Sequence, residues 1–195
     1  MRRKILNHII FQKIYLNNHV SDPYFISDSI RWSFQTSEKL NVIVDEITHI
    51  ATISYELGWR GSEFIKFIAT NPLGESSIDS ARFIVGRILN DTNYCDITLI
   101  KSESPYIIEN TIRIPSECNM YIESGVQIAI HSQVDIIVNG HLEFHGKEED
   151  VIHLFAVNET WGAILLDNTA KKSIFNYVLF ENATYGKDSL RANAT

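Results

Sequence analysis

Residues 134–155 read VDIIVNGHLEFHGKEEDVIHLF. Three short apolar runs, Val134 to Val138, Leu142 to Phe144 and Ile152 to Phe155, are separated by Gly140, Gly146 and the polar turn Lys147-Glu148-Glu149-Asp150. Strands of three to five residues, broken at single-glycine or polar corners, leave each turn of chain with an incomplete apolar face. The next turn of chain can cover that face, so the pattern predicts a solenoid. The same rhythm runs outward in both directions. It includes Ile112 to Ile114, Met120 to Ile122, Val126 to Ile130, Ala163 to Leu166 and Ile174 to Phe180, with Gly125 and Gly162 between runs.

Four quotable pieces carry a resemblance. IRIPSECNMYIESGVQIAI (112–130) looks like an opening coil and VDIIVNGHLEFHGKEEDVIHLF like the next. WGAILL (161–166) and SIFNYVLFENA (173–183) look like the third and the start of a fourth. Together they resemble the right-handed parallel β-helix of the pectin-lyase-like proteins. The resemblance implies a stack that is near the minimum of about three repeats. An uncovered last coil would expose backbone edges and apolar side chains. Either the tail Lys187 to Thr195 caps it or the chain is a piece of a longer protein, and the piece is the favoured expectation.

The first half has a different beat. Ile30 to Phe34, Asn41 to Val44, Ala51 to Tyr55, Glu63 to Ala69 and Ala81 to Val85 are punctuated by Ser37-Glu38, Gly58, Gly61 and Asn71-Pro72-Leu73-Gly74. Short strands with turn signals every 8–12 residues or so predict a small sandwich. In the fourth run Ile65, Phe67 and Ala69 share the face expected to point inward. IRWSF (30–34), then Trp59-Arg60-Gly61-Ser62-Glu63 leading into a strand, resembles the cadherin-like or bacterial Ig-like repeats of large secreted and surface proteins. That resemblance raises calcium as a cofactor, with Glu63 and Asp79 as candidate ligands. However, Asn71 stands where such repeats often place an acidic residue, and calcium prefers clustered charged oxygens.

Composition agrees with an all-β chain. Isoleucine supplies 29 of 195 residues and aromatics 11%, and both suit pleated surfaces. Seventeen Lys and Arg against 24 Asp and Glu give a net charge of -7, which excludes the basic footprint of a nucleic-acid binder. No run approaches the ~18 apolar residues of a transmembrane helix. Arg2, Arg3 and Lys4 precede an apolar stretch, but Asn7, His8, Gln12 and Lys13 interrupt it and no small-residue cleavage site follows. The start therefore reads as an opening strand. Cys95 and Cys118 permit one disulfide, but nothing in their spacing demands it, and they read as free thiols. Sequons begin at Asn90, Asn158, Asn182 and Asn193, as expected by chance in an Asn-rich chain.

Candidate chemistry is sparse. Asp135, Glu143 and the run Glu148-Glu149-Asp150 are the carboxylates that acid–base catalysis on a sugar would need. No repeated Asp-containing string marks them as catalytic, so no catalytic residue is assigned. Histidines gather at His131, His141, His145 and His153. On one strand, His141, Glu143 and His145 share a face, a candidate metal trio whose plain alternative is an exposed polar stripe. Tyr94, Tyr106, Tyr121, Trp161 and Tyr177 are candidates for stacking on sugar rings, Tyr121, Trp161 and Tyr177 foremost, although most aromatics in small β-proteins line the core and Trp161, before Gly162, reads more plainly as a structural corner.

The sequence thus predicts an N-terminal segment over 1–23, a small Ig-like β-sandwich over 24–88, a linker over 89–105 and a short right-handed parallel β-helix over 106–195. The expected role is a non-catalytic adhesion, spacer or glycan-contacting module of an extracellular or cell-surface protein. The competing expectation is a fragment of a polysaccharide lyase or glycoside hydrolase whose catalytic coils lie outside this chain. A third is self-association through the open end of the helix.

Overall fold

The computed structural model describes residues 8–11, 13–36, 38–167, 169 and 171–184. The chain divides into two compact units, Met1–Ile84 and Val85–Thr195. In the first, strands β1 (His8–Ile10), β2 (Ile14–Tyr15), β3 (Arg31–Gln35), β4 (Leu40–Val44), β5 (Ile50–Glu56), β6 (Gly61–Thr70) and β7 (Ser76–Val85) form two antiparallel sheets. β5 is central in one sheet, with β1 and β2 on one edge and β4 on the other; the second sheet runs β3-β6-β7. Val42, Ile53, Ile65, Phe67 and Phe83 from both sheets share one core with Leu16. As expected from the alternation, Ile65, Phe67 and Ala69 are buried. Gly61 is required because a Cβ there would collide with the Trp59 ring, which packs 5.9 Å from Tyr55. The chain from His8 already belongs to this unit, because β1 and β2 pair with β5.

The second unit is a parallel β-solenoid with three sheets. The first sheet stacks β8 (Arg87–Leu89), β10 (Tyr106–Ile108), β13 (Gln127–Ile130), β16 (Ile152–Ala156) and β19 (Val178–Glu181). The second stacks β11 (Ile112–Ile114), β14 (Ile136–Val138) and β17 (Ile164–Leu166). The third stacks β9 (Ile97–Leu99), β12 (Asn119–Glu123), β15 (His141–His145) and β18 (Ile174–Asn176). Arg87, Tyr106, Ile128, Leu154 and Phe180 lie one above another in the first sheet, so successive coils take 19, 22, 26 and 26 residues. Inward positions of every sheet fuse into one core that includes Ile114, Ile122, Ile128, Val138, Phe144 and Leu154.

Three expectations change here. The stretch 89–105 is the first coil rather than a linker: β8 and β9 pair in parallel with β10 and β12, and Asn93 bridges to Arg113. Its strands offer only one or two inward positions each, so their apolar signal is weak beside the polar corner Asn90 to Asn93. Cys95 and Cys118 are joined in a disulfide, which ties coil one to coil two across a separation of 23 residues. The run Ile174 to Phe180 is two strands, split where Tyr177 takes φ 45°, a conformation a bulky residue rarely adopts.

Corner residues are set by close approach between coils. Gly125 has φ 71° and faces the Asp150 carboxylate, so a side chain there is both strained and blocked. Gly162 lies against the Val134 carbonyl and the Asp135 carboxylate. Asp135 is buried, and its carboxylate accepts the Ala163 N–H at 2.8 Å. It is thus a corner brace, not a solvent-facing catalytic group.

Candidate functional site

The third solenoid sheet alternates strictly. Met120, Ile122, Leu142 and Phe144 point into the core, so Asn119, Tyr121, Glu123, His141, Glu143 and His145 share the outer face. Parallel pairing sets His141 beside Asn119, Glu143 beside Tyr121 and His145 beside Glu123. Glu143 is the centre of the group. Its Oε2 lies 3.1 Å from His141 Nε2, and its Oε1 lies 3.2 Å from His145 Nε2. The Tyr121 ring stands edge-on to His141 at 6.0 Å and stacks on His145 at 6.1 Å. His141 and Glu143 are largely covered, whereas His145 is half exposed.

Strand geometry explains this arrangement. Positions i and i+4 are about 13 Å apart along an extended chain. His141 and His145 therefore lean inward to the carboxylate between them, and each imidazole meets its own oxygen. Among the described residues, no group of three His, Cys, Asp or Glu side chains is disposed to hold a metal ion. With Nε2–H donating to Glu143, the buried Nδ1 of His141 is left as an acceptor without a partner.

The rim was not apparent from the sequence. Asn119 Nδ2 donates to Asp96 Oδ1 at 2.6 Å, and Lys171 Nζ donates to Asn119 Oδ1 at 3.4 Å. Glu123 Oε2 accepts the Lys101 N–H at 3.0 Å. These contacts join residues 22 to 52 apart, and only the coil register could have revealed them. The result is an aromatic face beside a carboxylate, two imidazoles and an amide. Such a surface can accept hydroxyl donors and cover an apolar ring face at once.

The other candidates are dispersed. Trp161 is 1% exposed, and its Nε1 donates to the Glu181 carbonyl at 2.9 Å. It is a buried corner, and because its ring is part of the solenoid core it cannot stack on a ligand. Tyr177 is exposed at the turn between β18 and β19, one residue beyond Asn176, which pairs with His145. Tyr94 and Tyr106 are buried. His153 pairs with Glu181 at 2.8 Å on the first sheet, and His131 sits beyond β13, so the four histidines do not form one cluster. Glu148 and Glu149 are exposed in the turn between Lys147 and Asp150. The hydrogen bond from Lys101 holds the Asp150 carboxyl below its ordinary range, with Ser124 adding to it.

In the first unit, Asp79 is exposed and accepts its neighbour's N–H from Ser80. Asn71 is buried, and its amide nitrogen donates to Asp22 Oδ2 at 3.2 Å and Glu75 Oε2 at 2.9 Å. The amide thus does for these two carboxylates what a cation would do. Comparison with protein-family models, curated proteins and solved structures found no match to the chain.

Proposed function

We propose that the chain is a non-catalytic module of a secreted or surface-attached protein, which serves adhesion or spacing and contacts glycans through the outer face of the third solenoid sheet. The observation that carries this reading is the Tyr121–His141–Glu143–His145 group, an aromatic ring, a half-exposed imidazole and a largely covered carboxylate presented on a parallel sheet. A site on paired strands is held more firmly than one on loops, which suits recognition without chemistry. The Cys95–Cys118 disulfide supports an extracytosolic setting, because such bonds persist in oxidising compartments. Two antiparallel sheets with a shared core are consistent with an Ig-like or cadherin-like first unit, and the three-sheet solenoid with a pectin-lyase-like second.

The test is glycan-array binding by the purified chain, with and without calcium, beside Tyr121→Ala and Glu143→Gln. Binding to one glycan class, weakened about tenfold by Tyr121→Ala (about 1.4 kcal/mol), is the expected result. Absence of binding in both conditions overturns the glycan reading. Binding that neither substitution changes moves the contact elsewhere.

A further inference from the structure

One strand of the first unit breaks the alternation that builds its core. On β7, Ala81 and Phe83 face inward and pack in the core with Phe67. The residues two and four positions before Ala81 lie on the same face, and they are Asp79 and Ser77. Polar side chains at core-facing positions cannot fill an apolar interior. Natural chains keep such local conflicts mainly where they serve a site.

A cleft of about 260 Å³ opens beside these two residues. On one side it is lined by Ile14 of β2 and by Leu16 and Val20, and on the other by Trp32 of β3 and by Phe67 and Ala69 of β6. Leu16, Phe67 and Ala69 are themselves buried, so the inner part of the cleft is apolar. The polar groups are His19 on one side and Ser77, Asp79 and Ser80 on the other. Among the described lining residues Asp79 is the one carboxylate, and there is no Lys or Arg. Asp79 Oδ1 accepts the Ser80 N–H at 2.7 Å, which leaves Oδ2 as an acceptor with no partner among the described residues.

We propose that this cleft binds a small primary ammonium compound with an aryl or alkyl body. The body fills the space between Leu16, Trp32 and Phe67, and the ammonium meets the Asp79 carboxylate. Size sets the class of body. An apolar cavity of about 150 Å³ takes a benzene ring, so this larger cleft takes a ring with a short arm. Charge sets the class of head. A lone carboxylate beside apolar walls favours a cation, gives a neutral isostere nothing beyond a hydrogen bond and repels an anion. Asp79 is exposed, so the ammonium keeps part of its hydration and water screens the pair. The preference for the cation over a neutral isostere is therefore about tenfold, not larger.

The cleft lies wholly within the first unit, so the proposal is independent of glycan contact on the solenoid. Its test is a nuclear magnetic resonance titration of the isotope-labelled full chain with phenethylamine, phenethyl alcohol and phenylacetate at neutral pH. The signals followed are the amides of Ala69, Ser77 and Ala81 and the indole N–H of Trp32. Phenethylamine should shift them saturably with a Kd of about 0.1–1 mM, as a ligand of this size allows. Phenethyl alcohol should bind about tenfold more weakly and phenylacetate more weakly still. Asp79→Asn, a near-isosteric change at an exposed position, should bring phenethylamine down to the level of the alcohol. No saturable shift with phenethylamine up to about 10 mM overturns the proposal. So do shifts that map away from the cleft, equal binding of the amine and the alcohol, and a preference for the amine that survives Asp79→Asn.

Discussion

Breaking the Cys95–Cys118 bridge should cost the solenoid about 3 kcal/mol, and the structure fixes both the size and the place of the loss. The bridge closes a loop with a sequence separation of 23 residues. Loop closure on that scale removes about 3.4 kcal/mol of denatured-state entropy. With a urea dependence of about 1.5 kcal/mol per molar for a unit of this size, the midpoint should fall by about 2 M. The assay needs a signal from the second unit alone. Trp161 is buried there, while Trp32 and Trp59 lie in the first unit. Replacing Trp32 and Trp59 by Phe leaves Trp161 as the sole tryptophan reporter of solenoid unfolding. Urea titration in reducing and non-reducing buffer, repeated with Cys95→Ala/Cys118→Ala, measures the shift twice. A shift below about 0.5 M in both would refute the reasoning, because it would mean that coil one contributes little cooperative stability for the bridge to protect.

Further expectations concern single residues. Gly162→Ala should lower solenoid stability by about 2–3 kcal/mol in the same titration, because its Cβ meets the Val134 carbonyl and displaces the Asp135 carboxylate from the Ala163 N–H. Asp45 accepts the Thr48 N–H, the Thr48 hydroxyl and the Ile47 N–H, which hold its carboxyl below the ordinary 3.8. Its ionised form therefore stabilises the first unit above that value and is lost as pH falls through the lowered one, so Asp45→Asn should give a shallower acid-unfolding limb below about pH 4. Asn71→Asp should destabilise the first unit in chelator by bringing a third carboxylate against Asp22 and Glu75, and millimolar calcium should restore part of its melting temperature. A melting temperature that calcium leaves unchanged would show that the amide does not occupy a cation-like position.

The sequence was legible wherever an element carries several inward side chains. Leu142 and Phe144, or Ile152 and Leu154, announce their strands because burying two large residues on one face outweighs everything local. The same alternation correctly placed His141, Glu143 and His145 on one outer face, and Ile65, Phe67 and Ala69 inside the first unit. It failed in coil one, where β8 and β9 spend most of their few residues on edges and corners. At Trp161 the structural corner expected before Gly162 is what the structure shows, and only its candidacy for stacking on a ligand falls, because the ring is 1% exposed. The pairing of Cys95 with Cys118 depends on a coil length that varies from 19 to 26 residues, so no fixed spacing could announce it. The site is the product of two patterns. Its histidines and carboxylate come from one strand, but Tyr121 joins them only through register with the neighbouring coil.

The position of the bridge also governs how this solenoid responds to pulling. Coils that touch only their neighbours come apart one layer at a time from an open end. Load applied beyond β19 should peel β19, then β18 and β17, in small successive releases. The covalent tie at the far end then halts the peeling, because coils one and two cannot separate while Cys95 and Cys118 are joined. What survives is a short stub that still presents the upper edges of β10, β11 and β12. A released coil that finds those edges skips the costly first step of building a sheet and simply adds to one. The bridge thus acts as a ratchet stop, from which a stretched chain can rewind.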